Sequence, residues 1–220
     1  MDPEGNGLDD GDGMDDAVRG VLAEYARRIE AEDALMASHA PGSLMARRDE
    51  FLLPVGPDTG RVLNILAKGA RAKSILELGT SYGYSTVWLA EAARQTGGRV
   101  VSLELADYKA QYAGDALARA GLADFVTRHV GDALATLPTL PGPFDFVLID
   151  LWKELYVPCL ELVLPRLARG GFVAADNMIL PEQWHVEATA YRKRVRELGL
   201  DTVLLPIGSG IELSRRPNGS

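Results

Sequence analysis

The chain has 220 residues, of which 47% are hydrophobic and 25% are charged, and its formal net charge is -8. This length and composition suit a single α/β domain with a sizeable core, and the acidic balance argues against a nucleic-acid partner, which needs clustered Lys and Arg. One cysteine, Cys159, excludes an intrachain disulfide and fits a reducing compartment.

The N-terminal segment is acidic and rich in glycine. It offers almost nothing to bury, so we predict a disordered tail over 1–13 and a single domain over 14–220. The segment lacks the basic and apolar regions of a signal peptide. No apolar run approaches the roughly 20 residues that span a bilayer. We therefore expect a cytoplasmic protein without a membrane partner.

Apolar residues at helical spacing predict a first helix from Asp15 or Asp16, and Pro57 suits the first turn of a second helix over 57–69. After these N-terminal helices, short apolar runs alternate with helical stretches. The predicted strands cover 74–79, 99–105, 124–130, 144–150, 170–176, 201–207 and 210–216, and the predicted helices between them cover 83–95, 107–120, 133–137, 156–168 and 182–198.

This alternation predicts a mostly parallel, seven-stranded sheet with helices on both faces. The linker between the last two strands is too short for a parallel crossover, so these strands should form an antiparallel hairpin. Ligands of such sheets bind beyond the carboxyl ends of the strands. That rim is rich in acids, and it carries Glu77, Glu104, Asp132, Asp150, Asp176 and Asn177.

The segment ELGTSYGYST, at 77–86, has the pattern of a strand, a glycine turn and a helix start. Gly79 and Gly83 allow a ligand to approach the backbone closely. Glu77 would repel a pyrophosphate and suits a cationic ligand that carries an amino acid, which argues against a dinucleotide site. A tight turn without any ligand is the alternative.

Two further strand ends are candidates for the cofactor site. Glu104 lies about 20 positions after the glycine turn, the spacing of an acid that binds ribose hydroxyls; a solvated acid is the alternative. Asp132 either adjoins the cofactor or caps the next short helix, and the backbone of Ala133 is placed to meet an adenine.

The motifs ELGTSYGYST, LEL, VGDA, FDFVLIDLWKELY and VAADN follow one another in this order. Together they resemble the cation-dependent O-methyltransferases, the group of the catechol and caffeoyl-CoA enzymes, over roughly residues 50 to 214. The resemblance implies a Rossmann-like fold that binds S-adenosylmethionine (SAM), with Val55 against SAM, Glu77 at its amino-acid end and Ser85 at its carboxylate. The predicted cofactor-binding residues are Val55, Glu77, Gly79, Ser81, Ser85, Glu104, Asp132, Ala133 and Asp150.

Asp150 ends one predicted strand, and Asp176 and Asn177 end the next. If these strands are neighbours, two carboxylates and an amide oxygen converge, a set that suits Mg²⁺ better than zinc. Three protein ligands leave octahedral positions for water and two substrate oxygens. The resemblance likewise places the metal on these three residues; polar strand ends without a metal are the alternative.

The resemblance also implies that Lys153 is the general base, and a neighbouring dication would lower the pKa of its amine. A solvated loop lysine is the alternative. We thus expect a SAM- and Mg²⁺-dependent enzyme that methylates one hydroxyl of a vicinal pair on a catechol-like or caffeoyl-type molecule, with Lys153 and Asp150 as catalytic residues. Family analogy suggests a homodimer formed through the N-terminal helices.

Three other functions are compatible with these residues: metal-independent methyl transfer, NAD-dependent oxidoreduction and SAM binding without turnover. Trp152, Tyr156 and Trp184 either wall a planar substrate or pack in the core. Cys159 is predicted to be a buried helix residue. The C-terminal GSGIE lacks the GDG of caffeoyl-CoA relatives, which leaves the acceptor open.

Overall fold

A single seven-stranded sheet forms the centre of the computed structural model, which describes residues 13–40 and 43–219. The strands are β1 (Ser74–Leu78), β2 (Arg99–Glu104), β3 (Val126–Val130), β4 (Phe144–Ile149), β5 (Leu167–Ala175), β6 (Asp201–Leu205) and β7 (Ile211–Arg215). Apart from Gly13, the predicted tail lies outside the described residues.

The strands follow the order β3-β2-β1-β4-β5-β7-β6. The first five in this order are parallel, whereas β7 is antiparallel to both β5 and β6. This topology confirms the predicted parallel sheet with an antiparallel C-terminal hairpin. In the hairpin turn, the carbonyl groups of Ser209 and Gly210 accept hydrogen bonds from the backbone of 178–180, so the turn supports the loop that follows β5.

Helices cover both faces of the sheet, as predicted. They are α1 (Asp16–Ala37), α2 (Pro57–Gly69), α3 (Tyr84–Thr96), α4 (Asp107–Arg119), α5 (Ala133–Thr136), α6 (Tyr156–Val163) and α7 (His185–Glu197). Because side chains alternate along a strand, Ile75 and Phe146 join the core beneath α1 to α4, whereas Leu76 and Val147 join the core beneath α5 to α7. Among the described residues, no helix combines the length and apolar character needed to cross a membrane.

Several predicted boundaries were wrong, and prolines explain two of them. The helix predicted over 156–168 ends at Val163, and a 3₁₀ turn around Pro165 leads into β5 three residues early. The strand predicted over 201–207 stops before Pro206, which has no N–H for the sheet. The start of the strand predicted at 124 is instead a 3₁₀ turn, Ala123–Phe125. A 3₁₀ helix at Met45–Glu50 was not predicted.

Gly79 joins the ends of β1 and β4 at backbone distance. Its φ is 101°, and a Cβ built at this position would lie 2.0 Å from the carbonyl oxygen of Asp150. The amide of Asp150 in turn donates to the carbonyl of Leu78 at 2.9 Å. No residue other than glycine fits here without moving the backbone of Asp150.

We predict that Gly79→Ala lowers the free energy of unfolding by at least about 2 kcal/mol, because it adds both backbone strain and a steric clash. Urea denaturation of the variant measures this change. Gly69→Ala is the matched control, since nothing lies within 4 Å of a Cβ at that position. Equal stability of the two variants would contradict the close packing of Gly79 against Asp150.

Candidate active site

A small cleft lies at the carboxyl ends of β1 and β4. Five of the predicted cofactor-binding residues line it together: Val55, Gly79, Ser81, Ser85 and Asp150. They come from three separate parts of the chain, namely the segment before α2, the glycine turn and the end of β4. The fold therefore brings most of the predicted cofactor set to one place.

Glu77 lies beneath this cleft rather than in its wall. Its side chain is fully buried, and its carboxylate accepts hydrogen bonds from Ser85 and Thr86 at 2.6 Å and from Ser102 at 2.5 Å. Burial raises the pKa of Glu77 to about 7, although these three hydroxyls act in the opposite direction. Glu77 thus orients Ser85 from below the cleft, and its contact with the amino-acid end of SAM stays a prediction.

Glu104 holds the glycine turn from the neighbouring strand. Its carboxylate accepts from the backbone amide of Ser81 at 2.7 Å and from that of Ala106 at 2.9 Å. The side chain is half-buried, so it keeps a face for a ligand, and ribose binding stays a prediction. This geometry disfavours the alternative of a solvated strand-end acid.

Asp132 caps α5, because its side chain accepts from the backbone amide of Ala135 at 2.8 Å. Asp132 and Ala133 are not among the residues that line the cleft. The structure therefore favours the capping interpretation of Asp132, and contact of these two residues with the cofactor stays a prediction.

The chain segment at 49–55 crosses the glycine turn and is tied down by α1. Arg28 donates to the carbonyl of Glu50 at 2.9 Å and lies 4.3 Å from the ring centroid of Tyr82. Glu32 accepts from the amide of Leu52 at 2.8 Å. These contacts hold Val55 in the wall of the cleft, which the sequence pattern alone did not show.

The three predicted metal ligands lie at the same sheet edge. Ile149 and Ala175 are register partners in β4 and β5, and the amide of Asp176 donates to the carbonyl of Ile149 at 3.2 Å. Asp150 and Asp176 are therefore the next residues on two adjacent parallel strands. Asn177 follows with a φ of 53°, a left-handed conformation that asparagine tolerates better than most residues.

Asp176 has a buried carboxylate oxygen without a hydrogen-bond donor among the described residues. Its side chain is 1% exposed, and its Oδ1 accepts no hydrogen bond from the described residues. Burial, followed by the charge of Asp150, raises the pKa of Asp176 to about 8. A buried carboxylate oxygen without a donor, beside a second carboxylate and an amide, fits a hard divalent cation. Residues 13–40 and 43–219 contain no metal-binding cluster of three or more His, Cys, Asp or Glu. At this sheet edge the third candidate ligand is an amide, that of Asn177.

Lys153 faces these ligands from the turn before α6. It is only 4% exposed, so the alternative of a solvated loop lysine was wrong. Its Nζ donates to Asn177 Oδ1 at 2.9 Å and to the hydroxyl of Tyr156. Burial lowers the pKa of the Lys153 amine, while the charges of Asp150 and Asp176 oppose that shift.

The aromatic residues left open by the sequence divide into different roles. Tyr156 is 1% exposed and packs in the core, and Trp184 is half-buried. Trp152 is exposed beside Lys153, with the Arg48 guanidinium 3.9 Å from its ring centroid. Cys159 is buried as predicted. Of the three aromatic candidates, Trp152 is the most exposed, and it is the chain neighbour of the predicted base.

Sequence reasoning missed two of the three hydroxyls that donate to Glu77, those of Ser102 and Thr86. Ser102 is the β2 register partner of Glu77, and Thr86 lies in the first turn of α3. Once β1 and β2 are known to be parallel neighbours, register identifies Ser102, since partners in a parallel pair share one face. Another cleft, of about 410 Å³, lies between α2 and the C-terminal hairpin, and no predicted site residue lines it.

Comparison with known proteins assigns the chain to a family. A family model described as a methyltransferase domain matches residues 76–178. A catechol O-methyltransferase of Mycobacterium tuberculosis is 40% identical over 169 residues, which cover 73% of this chain and 76% of that protein. The chain belongs to the cation-dependent O-methyltransferase family. A catechol O-methyltransferase of Niastella koreensis is also 40% identical, over 67% of each chain.

Solved structures agree with this assignment. Cofactor-bound Rv0187 from Mycobacterium tuberculosis has a TM-score of 0.70 and 34% identity, covering 96% of this chain and 94% of its own. An O-methyltransferase of Bacillus cereus, in complex with SAH, has a TM-score of 0.72 and 26% identity over 92% and 91% of the two chains. The protein is a SAM-dependent O-methyltransferase, which confirms the predicted enzyme class over NAD-dependent oxidoreduction and over SAM binding without turnover.

We predict that Glu77 makes the SAM-free enzyme less stable as the pH rises from about 4.5 to about 7. Its pKa rises from an ordinary value of 4.5 to about 7 on folding, so the unfolded chain loses this proton first. Below pH 4.5 the folded and the unfolded chain both hold the proton, and above pH 7 both have lost it. The loss of unfolding free energy caused by Glu77 is therefore complete above pH 7.

Glu77→Gln cannot ionise and isolates this effect from the other acids. From pH 4.5 to pH 7, the free energy of unfolding of Glu77→Gln should rise relative to that of the wild type by on the order of 3 kcal/mol. Urea denaturation across this range measures it. A difference that does not change with pH would show that Glu77 does not bind a proton on folding.

Proposed function

We propose that this enzyme methylates one hydroxyl of a vicinal pair on a catechol-like or caffeoyl-type molecule, with the help of a divalent cation, most suitably Mg²⁺. The observation that carries the proposal is the buried Oδ1 of Asp176, which lacks a donor among the described residues, at the sheet edge that also holds Asp150, Asn177 and Lys153.

Asp150, Asp176 and Asn177 would hold the cation. These ligands are all oxygens, the donor type that Mg²⁺ prefers over the nitrogen and sulfur ligands of zinc. When bound, the cation would supply a positive charge that lowers the pKa of a nearby hydroxyl. Three protein oxygens leave coordination positions for two neighbouring oxygens, which is the chemical reason to propose a vicinal pair.

Lys153 is proposed to accept the hydroxyl proton at Nζ. Burial favours its neutral form, the form that carries a lone pair. SAM, when bound, would supply the methyl group for the new oxygen–carbon bond and would keep the electron pair of the broken carbon–sulfur bond on its sulfur. Asp150 serves both halves of the site, since it lines the cofactor cleft and adjoins Asp176.

The choice of a planar acceptor rests on Trp152 and on the relatives. Trp152 directly precedes Lys153 in the chain, and its side chain is exposed. The Arg48 guanidinium lies against the Trp152 ring. Flat apolar rings favour stacking with other rings. Two similar curated proteins are named catechol O-methyltransferases, and a tobacco relative, 26% identical over 191 residues, is a caffeoyl-CoA O-methyltransferase. The homodimer remains a prediction, which light scattering in solution would test.

We predict that methyl transfer from SAM to catechol or caffeate requires Mg²⁺ and stops when EDTA removes it. Asp176→Asn should raise the Mg²⁺ concentration for half-maximal activity at least tenfold. Mutating a residue that only hydrogen-bonds to a metal ligand already costs about 10–100-fold in metal affinity, and Asp176 is a proposed ligand itself. Initial rates over a Mg²⁺ titration measure both effects.

Glu154→Gln is the control for this experiment, since it removes an exposed carboxylate from the neighbouring turn and should leave the Mg²⁺ requirement unchanged. Activity that survives both EDTA and Asp176→Asn would contradict the cation site and would favour metal-independent methyl transfer instead.

We also predict that Lys153→Met lowers kcat by about 10²- to 10⁴-fold, the usual contribution of a general base. Met approximates the volume of the buried lysine stem, so the variant should fold. Calorimetry should show a SAM dissociation constant within about twofold of wild type. A parallel loss of SAM affinity and turnover would mean that Lys153 supports the cofactor cleft rather than the proton transfer.

A further inference from the structure

Tyr156 contacts the amine of Lys153 in two ways. The Lys153 Nζ donates to the Tyr156 hydroxyl, and it lies 3.9 Å from the centroid of the Tyr156 ring. The same hydroxyl donates to the backbone carbonyl of Asp176 at 3.2 Å. One tyrosine thus connects the predicted base to the strand end that carries the predicted metal ligands.

The Tyr156 ring is itself held in place. It is the first residue of α6 and is 1% exposed. The ring of Tyr191, on α7, packs against it edge-on, with the centroids 5.7 Å apart. A lysine side chain loses considerable rotamer freedom when it is fixed, and a buried aromatic ring is a rigid partner for it.

The hydrogen-bond pattern decides where the lone pair of Lys153 points. A neutral amine has two hydrogens and one lone pair. In this structure Nζ has two acceptors, the Tyr156 hydroxyl and Asn177 Oδ1. When both hydrogens are used in this way, the lone pair is left for a third direction, as a base that takes a proton from the substrate requires.

The two acceptors are not equivalent. Asn177 Oδ1 is also a proposed ligand of the cation, so the lysine must share that oxygen or give it up. The Tyr156 hydroxyl is not itself a proposed ligand, although it also contacts the backbone carbonyl of Asp176 and the side chain of Asp150. It is therefore the acceptor that can hold Lys153 whether or not the cation is bound.

We propose that Tyr156 is a positioning residue. Its hydroxyl holds the Lys153 amine so that the lone pair of Nζ is directed toward the substrate hydroxyl that will be methylated. This inference rests on the proposed role of Lys153 as the base. Tyr156 itself touches neither the methyl group nor the acceptor, and it acts through the lysine.

Tyr156→Phe tests the proposal, because it removes the hydroxyl and keeps the buried ring. We expect kcat to fall about 10- to 100-fold, the cost of a misplaced catalytic group, while KM for SAM and the Mg²⁺ requirement stay within about twofold of wild type. In the SAM-free, Mg²⁺-free protein, Lys153 should react several-fold faster with an amine reagent, as followed by peptide mass spectrometry, because its amine is no longer held.

Tyr191→Phe is the matched control. Tyr191 is as buried as Tyr156 and lies against it, but its hydroxyl has no hydrogen-bond partner within the described part of the chain. Removing this hydroxyl should change neither kcat nor the labelling of Lys153. If Tyr191→Phe lowers kcat as much as Tyr156→Phe does, the effect is one of core packing and the proposal is wrong.

The outcomes separate this inference from the function on which it rests. If Lys153→Met retains its turnover, Lys153 is not the base, and the proposed role of Tyr156 is wrong as well. If Lys153→Met is inactive while Tyr156→Phe keeps wild-type kcat and wild-type labelling, the base stands and the positioning role of Tyr156 is overturned.

Discussion

The contact between Gly79 and the backbone of Asp150 is the constraint on which the rest of the site depends. A side chain at Gly79 would overlap the Asp150 carbonyl, so only glycine lets the ends of β1 and β4 come this close. That approach places the glycine turn, which forms the cofactor cleft, directly beside the first proposed metal ligand. Asp150 therefore adjoins both the cleft and Asp176, and the proposed sites of the methyl donor and the acceptor lie at the same sheet edge.

Around this contact the enzyme buries ionisable groups, whose charged forms are costly away from water. Glu77 is fully buried but receives three hydroxyl donors. Asp176 is nearly as buried, yet one of its oxygens has no donor in the described part of the chain. A buried carboxylate without a partner is costly in its charged form, which is why burial raises the pKa of Asp176. Its presence at a strand end is better explained by chemistry than by stability. The buried amine of Lys153 follows the same logic, since burial favours the neutral form that a base needs.

Much of the site could be predicted because the relevant signals are local or follow from topology. Short apolar runs that end in Asp150 and in Asp176 mark two strand ends, and parallel strands place their carboxyl ends at one edge. Glu77 and Gly79 were visible in a single decapeptide. Val55 and Ser85 were named only through the family resemblance, because no local pattern links the segment before α2 to the glycine turn. The structure brings both to the cleft.

By itself, the sequence determined the alternation of strands and helices, the C-terminal hairpin and the acids at the strand ends, because these depend on periodicity, linker length and order along the chain. Tertiary structure alone decided which groups meet: Ser102 with Glu77, Tyr156 with Lys153, and Arg28 with the segment over the cleft. The spacing of apolar residues along a helix is the same whether a tyrosine such as Tyr156 only fills the core or also binds the amine of a lysine. Strand register and helix packing distinguish these cases, and both are set by the whole chain rather than by any segment of it.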